Sequence, residues 1–89
     1  MQKIKNAIIE GENLFVEFKE ELPNADEFTA EICAFANTEG GMIILGVKDN
    51  GEIKGLEDTK LLEEKIMNIA RQNILPEISL NFFVCEIHQ

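Results

Sequence analysis

The chain has 89 residues, 45% of them hydrophobic and 28% charged, and 17 Asp and Glu stand against eight Lys and Arg for a net charge of −9. That length accommodates one domain and no second core, and the apolar content excludes a disordered chain. So acidic a surface also excludes the broad cationic face that supplies most non-specific nucleic-acid affinity, so contact with a polyanion needs a local basic patch or bridging cations.

No apolar run approaches the roughly 18 residues of a membrane span. The opening Met1-Gln2-Lys3-Ile4-Lys5-Asn6 is basic but lacks the apolar stretch and cleavage site of a secretory signal, so a cytoplasmic location is expected. Cys33 and Cys85 each sit in an apolar stretch and read as buried free thiols. The lone histidine, His88, leaves no Cys/His set for zinc.

In chain order, residues 3–9 predict a short helix with Ile4, Ala7 and Ile8 on one face, stopped by Gly11. Residues 14–19 alternate as a strand, with Leu14, Val16 and Phe18 on one face and Phe15, Glu17 and Lys19 on the other. After Pro23, Asn24 and Glu27 have capping-box spacing and open a helix from Ala25 to Asn37, whose stripe is Phe28, Ile32, Phe35 and Ala36. Gly40-Gly41 ends it. The continuous apolar run from Met42 to Val47 predicts a central strand covered on both faces. Asp49-Asn50-Gly51-Glu52 signals a hairpin turn, with a return strand from Glu52 to Leu56. Asp58 or Thr59 then caps a helix running to Asn73, with Leu61, Leu62, Ile66, Ile69 and Ala70 inward. Pro76 precedes a last strand, Ile78 to Ile87. The expected fold is a single α+β domain over residues 1–89, a mixed four-stranded sheet packed by two to three helices.

Nucleotide and acyl-transfer machinery do not fit these residues. Gly41 and Gly46 have P-loop spacing, but Val47 stands where lysine is required and no Ser or Thr follows. Ser79 and the threonines have no neighbouring histidine to activate them. Glu12 and Glu17, flanking the first strand, and Asp49, at the hairpin tip, would hold Mg²⁺ or Mn²⁺ if they converged, because these ions take hard oxygen ligands. Lys19 shares a strand face with Glu17 and is suited to contact a phosphate. In a chain with 17 acids such a trio arises cheaply, and the residues alone read as solvated carboxylates with an Asx turn at Asp49.

Two motifs point further. Gly11-Glu12-Asn13-Leu14-Phe15-Val16-Glu17-Phe18-Lys19 resembles the Gly-Glu…Glu-Phe-Lys opening of the Schlafen AlbA-like domain. Ala34-Phe35-Ala36-Asn37-Thr38-Glu39-Gly40-Gly41…Gly46-Val47…Asp49…Gly51 resembles that family's central motif, and Gly55 also fits. The resemblance implies a mixed sheet with helices packed on it. It implies a nucleic-acid-binding module, DNA or RNA, at the start of a longer transcriptional regulator with downstream domains. Lys19, Lys48 and Lys54, joined by Lys3 and Lys5, are the expected contacts. As an alternative it implies a divalent-metal-dependent endoribonuclease in which Glu12, Glu17 and Asp49 are both the catalytic residues and the Mg²⁺ or Mn²⁺ ligands. A third reading is a non-catalytic dimerisation module. The family's usual continuation, a strand pair and a Tyr-x-Arg-x-Gly segment, does not follow here. Ile78 to Ile87 is therefore expected to be an edge strand through which the chain forms a homodimer.

Overall fold

The computed structural model describes residues 2–73. Helix α1 spans Gln2–Glu10, strand β1 Val16–Lys19, helix α2 Ala25–Ala36, strand β2 Met42–Leu45 and helix α3 Thr59–Asn73. Of the four expected strands, two form a sheet among the described residues; the last, Ile78 to Ile87, lies outside them.

Each element begins and ends for a local reason. Gly11 closes α1 in the left-handed region, where its N–H reaches the Ala7 carbonyl at 3.0 Å. The Asn24 side chain caps α2 by accepting from the Glu27 N–H at 2.9 Å. The Asp58 side chain does the same for α3 through the Leu61 N–H at 3.0 Å. Strand β1 is shorter than its alternation predicts. Asn13 folds the chain into a tight turn, its side-chain oxygen accepting from the Phe15 N–H at 2.8 Å. Leu14 is thereby lifted off the expected core face and left 85% exposed.

β1 and β2 pair in parallel, Val16 with Met42 through Lys19 with Leu45, and α2 is the crossover between them. Side chains alternate across a strand, so this register divides the two faces. Glu17 and Lys19 lie on the face of Ile43 and Leu45, which pack with Leu22 and Ile69 against Phe28, Ile32 and Ile66 of α2 and α3. Phe18 lies on the other face and is 1% exposed. Val47 and Ala7 complete the buried set. Strand β2, expected to be covered on both faces, is half-buried along its length. Cys33 is a free thiol, half-buried rather than buried, while Cys85 lies outside the described residues.

The expected return strand contracts to a single antiparallel bridge, Val47 with Ile53. Its turn is closed by the Gly51 N–H to the Lys48 carbonyl at 2.8 Å and the Lys48 N–H to the Glu52 carbonyl at 2.9 Å. Beyond Ile53, the Lys54 and Gly55 N–H groups both converge on the Gly46 carbonyl, at 2.8 and 2.9 Å. Two donors on one acceptor end the ladder, because a continuing strand offers its carbonyls one at a time.

Candidate functional site

The crossover brings α2 over the face of β1 that carries Glu17 and Lys19, and the charged residues meet there. Lys19 Nζ lies 2.7 Å from Glu31 Oε1, 3.1 Å from Glu27 Oε2 and 3.6 Å from Glu17 Oε1. Glu27 and Glu31 are four apart on α2 and so present both carboxylates to one side. The hydrogen bonds that Lys19 donates to Glu31 and Glu27 hold its pKa well above the ordinary value, against the opposing effect of burial. The other Glu31 oxygen, Oε2, is buried and has no hydrogen-bond partner among the described residues, so Lys19 is the principal compensation for that carboxylate. Lys19, expected to contact phosphate, is thus enclosed by three acids.

Glu17 is the strained member of the group. Burial, and next the Glu12 carboxylate, push its pKa up from the ordinary 4.5; Lys19 pulls it down and Glu31 adds to the rise. A carboxyl whose folded pKa is raised contributes stability that is complete below the unfolded value and is lost as pH rises through the folded one. Ionised Glu17 therefore costs stability at neutral pH. Glu17→Gln is expected to melt above the wild type at pH 7. The gain should stay under about 1 kcal/mol because the side chain is 38% exposed. The gap should close as the pH falls through the carboxylate range, and thermal melts across that range test it. A less stable Glu17→Gln at pH 7 would mean that the Lys19 contact outweighs burial.

Glu12 stands outside this nest. Its Oε2 accepts from the Phe18 N–H at 3.0 Å, across the outer edge of β1. Asp49 is exposed in the turn after β2. Among the described residues, no group of three or more His, Cys, Asp or Glu side chains is gathered so as to hold a metal ion. A divalent ion needs its oxygens within bonding distance of one point, and the described side chains of Glu12, Glu17 and Asp49 are not gathered in that way.

The hairpin lysines are held more loosely. Lys48 pairs with Glu52 at 3.1 Å and Lys54 with Glu21 at 3.2 Å, and their side chains are 42% and 41% exposed. Lys54 also borders an open cleft of about 730 Å³ between the β1–α2 connection and α3. Glu20, Glu21, Glu57 and Asp58 outnumber Lys54 and Lys65 around it, so the cleft is no groove for a polyanion.

The chain matches the family model described as Schlafen, AlbA_2, over residues 12–89. It belongs to the Schlafen AlbA_2 family. No solved structure matches the chain. In this Schlafen AlbA_2 domain the family match takes in β1, the nest and the hairpin, and α1 precedes it. No described helix is long and apolar enough to cross a membrane.

Sequence reasoning named Glu17 and Lys19 but missed Glu27 and Glu31 as their partners. Glu27 has capping-box spacing from Asn24, and its side chain goes to Lys19. The available signal was the four-residue spacing of Glu27 and Glu31 on a helix that must cross over a strand carrying Lys19.

Proposed function

We propose that this Schlafen AlbA_2 domain is a nucleic-acid-binding module of a transcriptional regulator, contacting the phosphate backbone through the hairpin that carries Lys48 and Lys54. Membership of the family supports the class of ligand. The observation that carries the choice of residues is the contrast between the lysines. Lys19 is committed to three carboxylates, whereas Lys48 and Lys54 each hold one exposed partner. An exposed ion pair contributes about 0–1 kcal/mol, little enough for a phosphate to displace the carboxylate. With a net charge of −9, binding is weak and confined to low salt.

The test is fluorescence anisotropy with a short duplex DNA and a single-stranded RNA across a low-salt series. Binding is expected, with an affinity that falls as salt rises. In the Lys48→Gln, Lys54→Gln double variant the slope of log affinity against log salt should shrink by about 2 for duplex DNA, roughly one per lost phosphate contact. No binding to either nucleic acid at the lowest salt overturns the reading. So does strand cleavage in Mn²⁺ that disappears in Glu17→Gln, which would establish the nuclease instead.

A further inference from the structure

Along a strand, successive N–H groups point to opposite edges. In β1 the Glu17 and Lys19 N–H groups face β2, while those of Val16 and Phe18 face outward. Both outward donors are already taken by the segment that precedes the strand. The Val16 N–H donates to the Asn13 carbonyl at 3.3 Å, the Asn13 N–H returns to the Val16 carbonyl at 3.1 Å, and the Phe18 N–H donates to Glu12 Oε2 at 3.0 Å. The chain folds back at Asn13 and closes its own strand edge, with a carboxylate standing where a neighbouring strand's carbonyl would be.

We infer that Glu12 is a latch that closes the outer edge of β1 against a strand from a second copy of this chain. An unblocked edge is a template for pairing, and charged side chains are a common means of blocking one. β1 suits its own copy as a partner. In an antiparallel pair centred on Phe18, the two Phe18 residues would exchange their outward N–H and C=O groups. Glu17 would then face Lys19 of the partner subunit, and Lys19 would face Glu17 of the partner subunit, an opposite-charge pair on both sides of the centre. Glu12 withholds the central donor of that pair. The device is independent of nucleic-acid binding.

The test compares Glu12→Ala with Glu12→Gln in the full chain, because a glutamine oxygen can accept the same bond and an alanine cannot. In dilute samples, amide hydrogen exchange at Phe18 is expected to quicken about tenfold in Glu12→Ala, equivalent to about 1.4 kcal/mol. Glu17 and Lys19 exchange, which reports the β1–β2 ladder, should not change. Light scattering on a concentration series should show the mass of Glu12→Ala rising above that of wild type, with Glu12→Gln following wild type. Phe18 exchange unchanged in Glu12→Ala overturns the latch. So does equal quickening of Phe18, Glu17 and Lys19, which is general destabilisation, and so do masses that coincide in the two variants.

Discussion

Replacing Phe18 by alanine is expected to destabilise the domain by about 3–5 kcal/mol and to lower its melting temperature by at least roughly 12 °C. Phe18 is the largest fully buried side chain among the described residues, 1% exposed. Truncation removes the transfer free energy of the ring and leaves a cavity that neighbours fill only in part. The position also offers little room to relax. Phe18 is locked into the β1–β2 register opposite Ile44, and its N–H is held by Glu12, so the backbone cannot easily move inward to fill the void. Small domains have a net stability of only about 5–15 kcal/mol, so this one side chain carries a large share of it. Circular dichroism melts at neutral pH measure the change, and a loss under about 1 kcal/mol would show that Phe18 is not a core residue.

Gly46→Ala is the second large effect, expected to cost about 2–5 kcal/mol. Gly46 sits at φ +87°, where an L-residue bears roughly 1–2 kcal/mol of backbone strain. Its new Cβ would also stand 3.0 Å from Leu56 Cγ and 3.1 Å from the Gly55 carbonyl carbon. Part of that crowding is against backbone, which cannot rotate away, and overpacking of this kind adds roughly 1–3 kcal/mol. Gly51→Ala separates the two causes. It has nearly the same φ, +89°, but its Cβ would meet only the Ile8 carbonyl oxygen at 3.5 Å, an ordinary contact. It should show the backbone cost alone, about 1–2 kcal/mol. Equal losses at the two positions would mean that the Leu56 and Gly55 contacts yield freely. The Gly46 carbonyl accepts from both Lys54 and Gly55, so Gly46→Ala should also loosen the hairpin that presents Lys48 and Lys54.

Much of the fold was legible because its signals are local. The stops at Gly11 and Gly40, the caps at Asn24 and Asp58 and the turn at Asp49 to Gly51 each depend on a few neighbouring residues, and each stands where the pattern places it. Alternation along β1 put Glu17 and Lys19 on one face, as observed. It failed at Leu14, where the side chain of Asn13 competes with strand geometry for the local backbone and wins. The return strand was over-extended for a similar reason. Glycines at 46 and 55, both at positive φ, draw the Lys54 and Gly55 donors to one carbonyl, an outcome that alternation does not encode.

The candidate site was less legible, because charge says nothing of partners. Lys19 reads in the sequence as a phosphate contact, and Glu12, Glu17 and Asp49 read as a potential metal trio. Tertiary structure gives Lys19 its partners, because the parallel β1–α2–β2 path lays Glu27 and Glu31 over it. It also sends Glu12 to the edge of β1 rather than into the nest. What the sequence determined by itself was the order of the described helices and of β1 and β2, their caps and the family, since these follow from spacing along the chain. Which charges meet, and which strand edge is closed, was decided only by packing, because both depend on contacts between residues that the fold alone brings together.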